Sequence, residues 1–183
     1  MESRSLLRQA PPRDLTPRPV SQSKAMLAEL ALPSDANNWG FLLGGKVMHL
    51  VDICGALAAM KHARCPVVTA SADSINFLHP VPMNHLITLR SSVNRVFRTS
   101  MEVGVKVLVE DTMTGEVKHT TSAYLTFVAI DENGKPVPVA PVIPESEEEI
   151  RRYEEAAQRR EYRLALRKKS DAAPRASSPE SNH

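Results

Sequence analysis

Val47-Met48-His49-Leu50-Val51-Asp52-Ile53-Cys54-Gly55-Ala56-Leu57-Ala58-Ala59-Met60 is the longest apolar run in the chain, and Asp52 is its only formal charge. The run falls short of the ~20 apolar residues that a bilayer span needs, so it predicts a buried helix in a soluble protein. Pro66 bars its continuation, and Lys61, His62 and Arg64 suit a helix C-terminus. The expected helix therefore runs from Leu43 or Gly44 to His62 or Ala63, roughly 30 Å long at 1.5 Å per residue. Being apolar nearly all round, it calls for other elements on every side.

The flanking segments say what those elements are. Val67 to Leu78, His85 to Phe97, Ser100 to Glu110 and Glu116 to Ile130 are rich in β-branched residues and separated by short turns. The separators are Pro80-Val81-Pro82-Met83-Asn84, Arg98-Thr99 and Asp111-Thr112-Met113-Thr114-Gly115, with Asp131-Glu132-Asn133-Gly134 as the final turn. Upstream, Lys24 to Leu32 is apolar on both alternating faces and reads as a strand buried on two sides. A strand, a helix and four consecutive strands make an α+β domain in which one curved, antiparallel five-stranded sheet wraps the helix. Such a sheet leaves an edge and a helix flank uncovered, so at least a dimer is expected.

The chain of 183 residues has room for one ordinary core. Residues 1–20, with Pro11, Pro12, Pro17 and Pro19 and no periodicity, read as a disordered or loosely docked arm; residues 21–133 form the domain. Ser146 and Glu149 match a capping box opening a helix over 144–169, with acids in its first turn and Arg167-Lys168-Lys169 in its last. Its thin apolar stripe (Ile150, Tyr153, Ala157, Leu164) suits a surface or subunit-docking helix, and residues 170–183 read as a disordered tail. The formal charge of +2 comes from the N-terminal arm, which gives no footprint for nucleic acid. Cys54 and Cys65 have no disulfide or metal spacing, no secretory leader is evident, and a cytoplasmic protein is expected.

An isolated carboxylate in an apolar helix is costly unless something pairs with it or uses it. Asp52 is either a structural acid bonded to a backbone NH or to His49, or a general base or nucleophile in a partly desolvated pocket. Gly44-Gly45 at the helix start either permit tight packing or let a ligand reach free backbone NH groups at the positive end of the dipole. Asn37 is a turn-maker or a catalytic amide, and Thr69 a β-branched strand residue or a hydroxyl donor. His49, His79, His85 and His119 lie on different elements and form no ligand set; no metal is expected. Trp39 is a packing residue or a channel wall.

The stretches Asp35-Ala36-Asn37-Asn38-Trp39-Gly40, Gly44-Gly45, Val51-Asp52, Val68-Thr69-Ala70-Ser71-Ala72-Asp73-Ser74-Ile75-Asn76-Phe77, Pro80-Val81 and Arg98-Thr99-Ser100-Met101-Glu102-Val103 together resemble the acyl-CoA thioesterases of the hot-dog superfamily. The resemblance spans about Ser21 to Ile130. It implies the hot-dog fold and hydrolysis of a fatty acyl-CoA to free acid and CoA, with no cofactor beyond the CoA moiety of the substrate. It assigns catalysis to Asp52, Asn37 and Thr69. It also implies sites shared between subunits, in dimers assembled as trimers of dimers. Leu42-Leu43 depart from the family pattern and leave acyl-chain preference open.

A thioester needs a base or nucleophile and donors for the oxyanion; Asp52 would supply the first and the NH of Gly45 the second. CoA phosphates call for cations and hydroxyls, for which Arg98, Thr99 and Ser100 are the first candidates, with Arg64 and Lys61 behind them. A non-hydrolytic acyl-CoA or nucleotide-sensing module on the same fold is the alternative, and it would have no use for the Asn37, Asp52 and Thr69 set. A hot-dog dehydratase would want a catalytic His and ranks last.

Overall fold

A computed structural model describes residues 13–73 and 75–172. Helix α1 (Gly44–Ala63) lies against strands β2 (Ala25–Leu30), β3 (Val67–Ala72), β5 (Leu86–Val96), β6 (Ser100–Glu110) and β7 (Val117–Ala129). The strand order is β2-β5-β6-β7-β3, every pairing antiparallel, and the two-residue strand β4 (Asn76–Phe77) adds to β7. This is the expected α+β sheet around one helix. Alternation sets the inner face: Met101, Val103, Val105, Val107 and Val109 of β6 and Ala123, Leu125, Phe127 and Ala129 of β7 are buried against α1. From the helix come Val47, Leu50, Val51, Cys54, Ala58 and Ala59. Gly55 lets the Phe127 ring approach, since a Cβ there would lie 3.0 Å from it.

Several boundaries differ from the sequence reading. The segment Val67 to Leu78 is broken between Ala72 and Asn76 instead of forming one strand. Strand β2 is not buried on both sides: Met26 and Leu30 face solvent in the protomer, because on the outer face α2 packs against β5 and leaves this edge strand open. The expected arm over 1–20 ends early. Arg18–Pro19 (β1) pairs in parallel with Val142–Ile143 (β8), and Val20 is buried. The folded unit therefore extends past residue 133, with Val139, Ala140 and Val142 inside it. The proposed disorder of residues 1–12 and 173–183 lies outside the described residues.

The β1–β8 strap closes the C-terminal end of α1. Arg18 donates to the carbonyl of His62 at 2.7 Å, capping one of the acceptors that a helix end leaves open. Arg64 ends the helix in the left-handed region (φ 55°). His62 itself is not a solvated charge at the helix terminus. It is fully buried, with Nε2 hydrogen-bonded to the Ala140 carbonyl at 2.9 Å and Nδ1 without a partner among the described residues. Burial pushes its pKa down, and nearby Arg18 and Arg64 add to the effect.

Helix α2 (Glu147–Ala172) packs on the outer face of the protomer's own sheet rather than standing free. Ser146 accepts from the Glu149 NH at 3.3 Å, and Glu149 accepts from the Glu145 NH at 2.8 Å, one residue before the expected capping-box partner. Its apolar stripe contributes little. Ala156 is buried, but Ile150 and Leu164 are exposed, and the contact is made chiefly by arginines. Arg95 lies over the ring of Tyr153 at 4.1 Å, Arg159 over Tyr124 at 3.8 Å and Arg160 over Phe97 at 4.1 Å.

Burial lowers the pKa of His62 in the fold, so the native state binds fewer protons than the unfolded one as pH falls below the unfolded value of about 6.5. Its contribution is complete above that pH and is lost on acidification; urea titrations from pH 7.5 to 5 will show a steeper fall in stability for the native chain than for His62→Gln. Gly55→Val forces a branched side chain into the Phe127 ring and is expected to cost about 1–3 kcal/mol in the same assay.

Candidate active site

The apolar N-terminus of α1 is set by the loop before it. Asn37 closes that loop: its Oδ1 accepts from the NH groups of Trp39 (2.9 Å) and Phe41 (3.1 Å), and its own NH donates to the Phe41 carbonyl at 2.7 Å. Gly40 takes the positive φ (77°) the turn requires. Lys46 in the first turn of α1 bridges Glu29 at 2.6 Å and Asp35 at 3.4 Å, tying the loop, the helix and β2 together. With its carbonyl oxygen committed to the turn, Asn37 has its amide NH2 available.

Leu43 occupies the N-cap and provides no side-chain cap, so the first NH groups of α1 have no intrahelical acceptor. A Cβ on Gly44 would sit 3.6 Å from the Phe77 ring, whereas one on Gly45 would meet nothing within 4 Å. Phe77 thus walls one side of the helix start, and Gly45 opens onto free space. Two turns on, Asp52 is half-buried on α1 and accepts a hydrogen bond from the Thr69 hydroxyl of β3 at 2.7 Å. That bond leaves the second carboxylate oxygen free to accept a proton from water.

The structure brings together only part of the expected set. Asp52 and Thr69 touch; among the described residues no hydrogen bond links Asn37 to either. Gly45 and Asp52 are seven residues apart, about 10 Å of axial rise, too far for both to reach one carbonyl from the same helix. Around Asp52, the face of α1 turned away from the sheet is apolar and open, with Met48, Leu57 and Met60 exposed. The helix flank expected to be left uncovered by the sheet is therefore open within one protomer.

Arg98 lies exposed in the β5–β6 turn with no side-chain partner among the described residues. In the same turn, the Thr99 carbonyl accepts from Ala129 and Ser100 Oγ accepts from Arg160 at 3.4 Å. Arg64 is exposed at the end of α1, and Lys61 donates to the Lys24 carbonyl. His49, His79, His85 and His119 share no ligand geometry, and no group of three metal-binding side chains lies together among the described residues. No helix there is long and apolar enough to cross a membrane.

Residues given no role from sequence carry much of the electrostatics. Glu102 of β6 is fully buried and held by Arg159 through Nη2 at 2.7 Å and Nε at 3.2 Å, by Arg163 at 3.3 Å and by Asn94 at 3.2 Å. Burial and the Glu102 carboxylate act in opposite senses on Arg159, whose pKa is raised on balance. The available signal was an acid flanked by Met101 and Val103 in the middle of the alternation of β6, and the arginines Arg159 and Arg163 four residues apart on α2.

Comparison with known proteins places this geometry. Residues 40–116 match the model of the thioesterase superfamily. The uncharacterized acyl-CoA thioester hydrolase YkhA of Bacillus subtilis is 44% identical over 151 residues, covering 82% of this chain and 88% of that protein. An acyl-CoA hydrolase from Staphylococcus aureus, solved with butyryl coenzyme A and coenzyme A, superposes with a TM-score of 0.79 at 37% identity, covering 85% of this chain and 95% of that one. That enzyme was also solved with single alanine replacements of an Asn, an Asp and a Thr whose chain spacings equal those of Asn37, Asp52 and Thr69. An apo-hexameric acyl-CoA thioesterase, 44% identical, superposes at a TM-score of 0.79 over 87% of this chain and 99% of its own.

Proposed function

The chain belongs to the thioesterase superfamily, as an acyl-CoA thioester hydrolase with the hot-dog fold, and from that premise we propose that it hydrolyses fatty acyl-CoA to the free acid and CoA through Asp52. The observation that carries the reading is the 2.7 Å hydrogen bond from Thr69 to Asp52. It fixes the carboxylate while leaving one oxygen to take a proton from water. Water activated there attacks the thioester carbonyl, the oxyanion is held by the NH of Gly45, and the Asn37 amide orients the water or the carbonyl. CoA leaves as thiolate and is protonated, and its phosphates are met by Arg98, Thr99 and Ser100, with Arg64 near the end of α1.

The roughly 10 Å between Gly45 and Asp52 along α1 means that one carbonyl is served by two copies. In this reading Asp52 and Thr69 of one protomer work with the Asn37 loop and Gly45 of a second, related by a two-fold axis across the open face of α1. The exposed Met48, Leu57 and Met60 then become an interface, and such dimers would assemble further as trimers of dimers. The hexameric thioesterase neighbour supports an oligomer of this kind. Free Cys54 and Cys65 support a reduced, cytoplasmic setting, and the acyl-CoA hydrolase relatives support a place in fatty acid metabolism.

Free-thiol release from acyl-CoAs of rising chain length tests the activity. The native protein is expected to turn over at least one of them, and Asp52→Asn to lose about 100-fold or more in kcat. CoA binding without turnover would favour the sensing module instead. Sharing of the site is tested by mixing copies. Asp52→Asn and Asn37→Asp are each expected to be inactive, yet subunits exchanged in equal amounts should recover about a quarter of native activity, since half the dimers then hold one intact site. An exchanged mixture that stays inactive places both residues in the same protomer.

A further inference from the structure

The strand that carries Thr69 is the weak edge of the sheet. Strand β3 pairs only with β7, its register shifts between Thr69 and Ser71, and the ladder stops at Ala72 before β4 resumes it at Asn76. The extra residue has a consequence for facing. Thr69 lies opposite buried Phe127 and points inward to Asp52, whereas Ser71 lies opposite Thr126 and the Asp73 NH donates to the Tyr124 carbonyl. Without the bulge, Thr69 and Asp73, four residues apart, would share a face. With it, Asp73 emerges on the outer face beneath α2.

There Asp73 is gripped. Arg163 of α2 bonds its carboxylate at 2.5 Å and uses the same nitrogen to reach buried Glu102 at 3.3 Å. Arg159 holds Glu102 independently, so the far end of the tie is anchored at the centre of the sheet in a site with no solvent access. Besides the Arg163 ion pair, the one backbone hydrogen bond that holds Asp73 among the described residues runs from its NH to the Tyr124 carbonyl.

We infer that Arg163 is a positioning residue, and that α2, acting through the Glu102–Arg163–Asp73 tie, sets the Thr69 hydroxyl against Asp52. This rests on the hydrolase reading above. Loss of the tie lets the bulged edge shift, and a small displacement of Thr69 releases the carboxylate it orients. Substrate binding at the β5–β6 turn is untouched, so the effect falls on kcat and not on KM.

Two variants approach the tie from opposite ends, Arg163→Ala and Asp73→Ala; the second leaves Glu102 with both arginines and removes no buried partner. Each is expected to lower kcat about tenfold with KM changed less than about twofold, and Arg163→Lys to restore most of the loss. In a Thr69→Val background neither should cost anything further, because the group they position is gone. Losses that add to that of Thr69→Val, or native kcat in both variants, overturn the proposal while leaving the hydrolase reading intact. A native protein that turns over no acyl-CoA removes both.

Discussion

One five-stranded sheet can cover only one side of a helix, and α1 is apolar on nearly all of its sides. The rest of the molecule follows from that mismatch. The inner face of the sheet takes Val47, Leu50, Val51, Cys54, Ala58 and Ala59, and the opposite face of α1 remains open with Met48, Leu57 and Met60 exposed. Asp52 stands at the border between the two, half-buried. A carboxylate fully enclosed by the sheet would be held at a desolvation cost with no access for water, and one fully outside would lack both Thr69 and an apolar setting for an acyl chain. The incomplete wrapping makes the position usable.

The outer face of the sheet solves a different problem. It carries a buried acid, Glu102, which is tolerable because Arg159, Arg163 and Asn94 satisfy it together. The same arginines bring α2 down on the sheet, and aromatic rings receive Arg95, Arg159 and Arg160. A helix with few apolar residues on its inner stripe thus docks by charge and stacking. The inner core is apolar and defines where the sheet lies; the outer network is polar and, through Asp73, reaches the strand that carries Thr69.

Much of this was legible from pattern. The ends of α1 and the full extent of β6 match the sequence reading because Gly44, Pro66 and the turn residues act locally. Resemblance singled out Thr69 and Asp52 without joining them; the hydrogen bond between the two is a finding of the structure. Other features were not local. Nothing near Lys24 says whether β2 has one covered face or two, since that depends on what stands across from it. Likewise, His62 reads as a helix-terminal cation until the 139–143 segment closes over it. The break in β3 depends on how many residues β7 offers opposite it.

By itself the sequence determined the order of elements, the apolar helix with one acid, and the resemblance to the thioesterase family, because periodicity, turn chemistry and motif spacing are properties of neighbours along the chain. Only the tertiary structure decided which face of α1 stays open, that Asn37 spends its carbonyl on its own turn, and that a bulge sends Thr69 inward and Asp73 outward. Those outcomes depend on register and on contacts between residues far apart in sequence, where a shift of one position exchanges the two faces of a strand.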